Sequence, residues 1–309
     1  MERDEKRQAE RATRIYEREL ADLDRQVSDY YSRYGTDNVL RYRDLLQTMD
    51  AADRDLLMRD VDRFAALHPE HADLVEIRKS IYKLDRLEGL QASARLHMAQ
   101  ATADATDGLD EHFESNARKQ ADAVAKALGH GDSFSIYDDA AIRGFVNVPW
   151  SSGQSYSQKV WGNTQALSDM VNDEMAKAFA RGDSYASIRE TLHHRFVDVP
   201  VSSLTRLVYT EGTYVARQVQ GDEFKREGFE SYYLETVGDS RVCDECRSIA
   251  SETQSNPVSF DNESPGINYP PIHPRCRCQV NPAVDDWQAW AFAQIDSKRA
   301  EIAARHFSE

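Results

Sequence analysis

All four cysteines of this 309-residue chain fall between positions 243 and 278. That crowding constrains the fold more than any other feature, because thiols spent in one place must meet in space to be useful. The stretch opens with Asp239-Ser-Arg-Val-Cys243-Asp-Glu-Cys246 and closes with Pro270-Pro-Ile-His273-Pro-Arg-Cys276-Arg-Cys278. Tetrahedral zinc takes four ligands from thiolate sulfur and imidazole nitrogen. A Cys-x-x-Cys turn supplies two of them, Cys243 and Cys246. The other two come from three candidates, His273, Cys276 and Cys278. The pairs Cys276/Cys278, His273/Cys276 and His273/Cys278 all stay open. The gap between the two knuckles is longer than the ~15–20 residues of an ordinary zinc ribbon.

Two other chemistries compete: disulfides, for which four cysteines allow three pairings, and reactive free thiols. Residues 1–20 carry no apolar segment of the kind a secretory leader needs, so a reducing cytosol is expected, where disulfides are rare. A structural zinc ion is the expectation. Cys276 lies between Arg275 and Arg277, which should lower its pKa if it is free.

Net charge is −15, from 38 basic and 53 acidic residues. Such a field works against general adhesion to nucleic acid or anionic membrane. No stretch approaches the ~18 apolar residues of a membrane span.

The remainder reads as helix. Residues 1–34 form a charged helix with a thin apolar stripe of Ile15, Leu20, Leu23, Val27 and Tyr31, which suits a partner helix better than a deep core. Short helical patterns follow over 39–49 and from Asp50 to His68-Pro69. Residues 70–105 predict one long helix with Leu74, Ile77, Ile81, Leu84, Leu87 and Leu90 on one side, and Gly89 marking close packing. Leu109 to Leu128 resumes as helix. His68, His71, His97, His112 and His130 are scattered and read as surface residues.

Aromatics, Gly and Ser rise near 133. Helices are predicted over Tyr156–Arg181 (Val160, Leu167, Met170, Val171, Met175 and Phe179 inward), over Tyr185–Phe196 and over Val201–Arg226, with Pro200 in the first turn of the last. Ser231 to Val237 alternates as a strand, with Gln279–Pro282 as its partner. A loop is expected between the knuckles. Residues 285–307 predict a final amphipathic helix with Trp287, Trp290, Phe292, Ile295 and Ile302, whose tryptophans are expected to pack. The chain therefore divides into a helical arm (1–139), a stapled module (140–283) and a terminal helix (284–309). The fold class is mainly α with a small α+β module stapled by a Cys/His cluster.

No catalytic constellation emerges. There is no His-Glu-x-x-His, phosphate-cradling glycine loop or Gly-x-Ser-x-Gly turn. Glu211, Glu235, Asp239, Arg241 and Glu245 lie near the thiols in sequence without forming a recognisable set, and Glu245 is expected to face solvent.

The order of motifs resembles the phage Mu F-like minor head proteins, also called head morphogenesis or minor capsid proteins. The resemblance rests on Asp239-x-Arg-Val-Cys243-x-x-Cys246, on Asn268-Tyr-Pro-Pro-Ile-His273-Pro-Arg-Cys276-Arg-Cys278, on Pro149-Trp150-Ser-Ser-Gly-Gln-Ser-Tyr156-Ser-Gln-Lys-Val-Trp161, and on Arg206-Leu-Val-Tyr-Thr210-Glu211. It covers about residues 140–283, with Tyr209 where the family usually has Arg. Tyr42-Arg-Asp-Leu-Leu and Arg78 to Gly89 are similar to the amino-terminal region of some members. It implies a non-enzymatic, low-copy virion component, made in the host cytoplasm with the portal protein and placed in the capsid interior or near the portal. Its implied partners are the portal, other capsid or scaffold proteins and phage DNA, with no membrane or small-molecule substrate, and its role is to assist DNA packaging or ejection. A metal- or thiol-dependent enzyme or toxin, and a zinc-containing nucleic-acid binder, are the competing readings.

Overall fold

The computed structural model describes residues 2–77, 81–129, 139–284 and 290. Ten α-helices and three strands lie among them: α1 (Glu2–Tyr34), α2 (Tyr42–Leu45), α3 (Ala51–Leu67), α4 (Arg86–Thr106), α5 (Leu109–Ala127), α6 (Asp139–Val146), α7 (Tyr156–Arg181), α8 (Tyr185–His193), α9 (Val199–Arg226), β1 (Ser231–Glu235), α10 (Asp244–Ser255), β2 (Val258–Ser259) and β3 (Gln279–Pro282). The chain is mainly helical with one small antiparallel sheet, as its periodicity requires. It forms two compact units, residues 1–112 with 147–209, and residues 113–146 with 210–309.

In the first unit α4 is the central helix. It is buried around most of its circumference, through Leu87, Leu90, Ala94, Leu96, Met98, Ala99, Ala101, Ala103 and Ala105. A helix apolar on all sides belongs inside, and its alanines let neighbours approach closely. α1, α3 and α7 pack on it. Tyr16 Oη meets Thr102 Oγ1 at 3.0 Å and His97 meets Glu19 at 3.0 Å, so α1 and α4 run antiparallel. Thr102 Oγ1 also meets Thr164 Oγ1 of α7 at 3.0 Å.

The apolar stripe of α1 is thus spent inside its own unit. Ala12, Tyr16, Leu20, Leu23, Val27 and Tyr30 are buried, and Tyr31 reaches the carbonyl of Asp183 at 2.8 Å. The partner helix that a thin stripe calls for is α4 of the same chain. The 74–90 stripe is spent likewise: Leu74 and Val75 join Phe64 and Leu96 in one cluster, and Ile77, Ile81 and Leu84 join Met49 and Leu57 in another.

The long helix expected over 70–105 does not form as one piece. Residues Pro69–Val75 and Ile81–Lys83 are 3₁₀ turns, and the α-helix starts only at Arg86. Asp85 ends the irregular stretch by capping Glu88 N while the Glu88 side chain returns to Asp85 N, a reciprocal capping box. The leucine spacing suits both structures; the Asp-x-x-Glu signature decides between them. Gly89 does mark close packing, because a Cβ there would lie 2.4 Å from Met49 Sδ.

Other boundaries follow the sequence closely. Asp50 caps α3, and His68 ends it. Ser155 and Gln158 make a capping box at the start of α7, and Gly182, with φ +74°, closes that helix in the left-handed conformation. On α7, Met170 is exposed where an inward position was expected. His193 leads through a π turn at His194–Asp198 straight into α9. The 39–49 pattern yields only the single turn of α2.

In the second unit the sheet order is β2-β1-β3. β1 pairs antiparallel with both neighbours: Tyr232 opposes Val258 on one side, and Leu234 opposes Val280 on the other. Tyr232 and Leu234 face the core, as alternation demands. β2 and α10 were not expected; α10 occupies part of the stretch read as a loop. Trp290 stacks on Phe229 with centroids 5.0 Å apart, so this tryptophan packs. Trp287, Phe292, Ile295 and Ile302, like His130, lie outside the described residues.

Removing an N-cap costs about 1 kcal/mol, within a range of roughly 0.5–2. Asp85→Ala should therefore lower the urea-unfolding free energy of the chain by about that amount with the m-value unchanged.

Candidate metal centre

The two knuckles come together. Cys246 Sγ lies 4.0 Å from Cys276 Sγ, and His273 Nε2 lies 3.3 Å from Cys243 Sγ and 3.2 Å from Cys246 Sγ. The donors form two overlapping triplets, Cys243/Cys246/His273 and Cys246/Cys276/Cys278, each with its atoms within 4.8 Å of one another. All five candidates from the sequence are therefore in one cluster, with Cys246 common to both triplets. Cys246, Cys276 and Cys278 are buried, while Cys243 and His273 are partly exposed.

Each donor is placed by a specific element. Cys243 is the N-cap of α10, and its sulfur accepts the backbone N–H of Cys246 at 3.3 Å. Both thiols of the first knuckle thus sit at a helix N-terminus, where the backbone dipoles favour negative charge. α10 is tied in turn to β1: Thr253 Oγ1 accepts Leu234 N at 3.0 Å, and Gln254 Nε2 donates to Leu234 O at 3.2 Å. The second knuckle runs directly into β3, which pairs with the other side of the same strand. Arg277 joins the two sequence segments outside the cluster by a bidentate pair to Asp239, both contacts at 2.6 Å. That pair holds the Asp239 carboxyl well below the usual carboxylate range.

Helix α9 supports the second knuckle from within. Arg217 Nε donates to Cys278 O at 3.0 Å, Arg217 Nη1 donates to Gln220 Oε1 at 2.7 Å, and Gln220 Nε2 donates to Val280 O at 2.9 Å. Tyr269 Oη donates to Arg217 O at 2.5 Å, and it lies 2.3 Å from where a Cβ on Gly221 would stand. The helix needs glycine there to admit the ring. Thr210 Oγ1 accepts Arg275 N at 3.3 Å, which gives the Thr210-Glu211 motif a physical job at the knuckle. Arg217, Gln220 and Gly221 were not singled out from sequence, because the buried side of α9 also carries Thr210, Glu211, Thr213 and Glu223 and no periodic signal sets these three apart.

Protonation within the cluster is uneven. Cys276 is pulled down to about 5, mainly by a hydrogen bond from the Cys278 thiol, whose own pKa is pushed up by the same bond and by burial. Cys246 is pushed up to about 12 by burial and by the charge on Cys276. Cys243 is lowered, chiefly by the Cys246 backbone N–H. Cys276 has the low pKa expected of it, but its neighbouring thiol is the leading cause rather than the flanking arginines. Burial opposes charging His273, yet the Pro274 carbonyl and the nearby thiols outweigh it and its pKa is raised. Cys243 and Cys276 are thus shifted toward the thiolate, and Cys246 and Cys278 away from it. A divalent cation would let them ionise together.

The donor set fits such a cation. The separations of 3.2, 3.3 and 4.0 Å bracket the ligand–ligand edges of about 3.5–3.8 Å expected around a tetrahedral ion with bonds of about 2.0 Å to nitrogen and 2.3 Å to sulfur. His273 Nδ1 contacts Pro274 O at 2.8 Å. A proton on Nδ1 in that contact leaves the Nε2 lone pair facing the thiols, the arrangement a metal-binding imidazole needs. A sulfur–sulfur distance of 4.0 Å is far from the roughly 2.05 Å of a disulfide.

The space beside the cluster is small. The cavity lined by Cys243, Cys246, His273 and Cys278 measures about 20 Å³, whereas small-molecule sites occupy roughly 300–1,000 Å³. Glu245 is exposed and Glu235 binds Asn281 on the sheet, 2.9 Å away. Neither carboxylate belongs to the donor triplets or lines the cavity beside them.

Residues 169–281 match the family model described as Phage Mu protein F like protein. The matched stretch runs from within α7 to β3 and contains the whole cluster. No curated protein and no solved structure gives a significant match.

Arg217→Ala would leave the carbonyl of Cys278 and the side chain of Gln220 buried without their donor, a loss of roughly 1–3 kcal/mol for each unsatisfied group. The variant should unfold at clearly lower denaturant than the wild type. Arg217→Lys should recover only part of the loss, because one ammonium cannot reproduce the planar fork.

Proposed function

We propose, from the match of residues 169–281 to the family model described as Phage Mu protein F like protein, that this chain is a head morphogenesis protein, a structural component of a tailed-phage or prophage head. In this reading it associates with the portal protein during procapsid assembly, resides in the capsid interior or near the portal, and assists DNA packaging or ejection. Its Cys/His cluster holds one zinc ion as a structural staple.

The observation that carries the structural reading is closure. The five thiol and imidazole donors form two triplets that share Cys246, each with its ligand atoms within 4.8 Å of one another, and the cavity beside them measures only about 20 Å³. A four-coordinate ion there would be saturated by protein ligands, whereas a catalytic zinc keeps a position open for water or substrate. Cys243 and Cys246 supply two ligands, and His273, Cys276 and Cys278 the remaining two. When bound, the ion would neutralise the thiolates and tie α10 to β3.

The core of the first unit uses the apolar stripes at 15–31 and 74–90. The portal contact would instead use exposed surface. Among the described residues no helix is long and apolar enough to cross a membrane.

The ligands bind as thiolates and neutral imidazole, so protons compete with the metal. Freshly purified protein should carry one zinc per chain by elemental analysis, and acidification from neutrality should release it. Cys246→Ser should abolish stoichiometric zinc and lower the melting temperature. Co-expression with the portal protein of the same gene cluster should give a complex that survives affinity purification. Failure of the intact chain both to bind portal and to enter particles would overturn the assembly role. Loss of a hydrolytic activity in Cys276→Ser, with metal content and melting temperature unchanged, would favour an enzyme instead.

A further inference from the structure

The four thiols differ in access. Cys276, Cys278 and Cys246 are 0%, 2% and 3% exposed, whereas Cys243 is partly open to solvent. Cys243 also lies on the wall of the cavity of about 20 Å³ beside the cluster. That space admits about one water-sized molecule, since a water needs roughly 10–15 Å³ of such volume. Cys246 and Cys278 reach the same space, but with almost no surface open to solvent. An oxidant that enters must therefore be small, and the sulfur it meets first is that of Cys243. The flanking arginines drew attention to Cys276 instead, yet Cys276 is sealed in the core.

A second thiol stands ready beside it. Cys243 is the N-cap of α10, and its sulfur accepts the Cys246 N–H at 3.3 Å. The two sulfurs lie within 4.8 Å of each other, and Cys276 and Cys278 share a donor triplet with Cys246 but not with Cys243. Cys246 is thus the thiol placed to react with Cys243. Both belong to one helical turn, so side-chain rotation brings them toward the roughly 2.05 Å of a disulfide. A Cys-x-x-Cys pair at a helix N-terminus is an arrangement that carries thiol–disulfide chemistry.

We propose that Cys243 is an oxidation site: a small hydroperoxide oxidises it, Cys246 closes a disulfide with it, and the zinc staple opens. The inference rests on the zinc reading above. The Cys243 thiolate attacks one oxygen of hydrogen peroxide. An S–O bond forms as the O–O bond breaks, leaving a sulfenic acid and hydroxide. The Cys246 thiolate then attacks the Cys243 sulfur, the S–S bond forms, and the S–O bond breaks to release a second hydroxide. Two electrons pass from the two thiolates to the peroxide, and the metal ion is neither oxidised nor reduced. The disulfide withdraws two of the five donors. His273, Cys276 and Cys278 remain, one short of the four ligands a structural zinc takes. α10 keeps its ties to β1 through Thr253 and Gln254, and the second knuckle keeps its ties to Arg217 and Thr210. The staple therefore opens while the sheet holds, and reduction closes it again.

The experiment adds hydrogen peroxide to the reduced, zinc-loaded, full-length chain. A chromogenic chelator follows free zinc, a thiol reagent counts the remaining cysteines, and mass spectrometry maps the tryptic peptides. Zinc release should keep pace with the loss of two thiols, and the peptide Val242–Arg247 should carry an internal disulfide. Dithiothreitol with added zinc should restore both thiols and metal. Glutathione disulfide, which is far larger than the cavity, should release zinc about tenfold or more slowly. Cys243→Ser keeps four donors, and its thiols should be oxidised about tenfold or more slowly than those of wild type. The wild-type map decides the pairing even if that variant unfolds. A first disulfide mapped elsewhere would overturn the proposal, as would zinc retained after the two thiols are lost. Equal rates with glutathione disulfide, or in folded Cys243→Ser, would also overturn it. Zinc absent before peroxide is added would sink the staple reading, and this inference with it.

Discussion

Strand β1 is hydrogen-bonded along both sides, and the geometry of the thiol cluster depends on that. On one side it pairs with β3, which begins one residue after Cys278; on the other it pairs with β2. Its Leu234 backbone N–H and carbonyl are also taken by Thr253 and Gln254 of α10, the helix that starts at Cys243. Both knuckles are therefore hung from one five-residue strand. Backbone hydrogen bonds fix register, since a slip of one residue would turn every side chain to the other face. The donors meet because the two chain segments that carry them are each registered against β1.

The cluster is also part of the hydrophobic core. Cys246, Cys276 and Cys278 pack with Phe224, Tyr232, Leu234, Phe260, Tyr269 and Val280. That burial sets their chemistry. It pushes the Cys246 thiol up to about 12 and leaves hydrogen bonds between thiols as the means of accommodating charge. Buried charge is tolerated when it is paired or bound to metal. The same burial that makes an isolated thiolate costly favours a site whose thiolates share a cation. Arg217 and Gln220 complete the support by satisfying the carbonyls of Cys278 and Val280.

Much of this was legible in the residues. Helices α3, α5 and α7 start and stop near the expected capping and glycine signals, and β1 and β3 pair as alternation foretold. All five donor residues were identifiable because cysteine is scarce in this chain and histidine sits beside it. The failures share a cause. The 70–105 helix was inferred from leucine spacing that two 3₁₀ turns satisfy equally well, and local hydrogen bonding by Asp85 and Glu88 decided the matter. α10 was overlooked because Asp244 to Ser255 carries few apolar residues; its stability comes from the Thr253 and Gln254 contacts to β1, which periodicity does not record. His97, read as a surface residue, is buried; one histidine on a helix has no partner in sequence, and Glu19 lies 78 positions away.

The sequence by itself determined composition, helical character, the two knuckles and their donor types, since these follow from residue chemistry and spacing within a few turns. Tertiary structure alone decided which surfaces remain available and which donors meet. The stripe of α1 looked open until α4 covered it, and Cys246 and Cys276 became neighbours only when β1 gathered both segments. The physical reason is range: capping and periodicity act over a few residues, whereas burial and ligand geometry depend on groups brought together from distant parts of the chain.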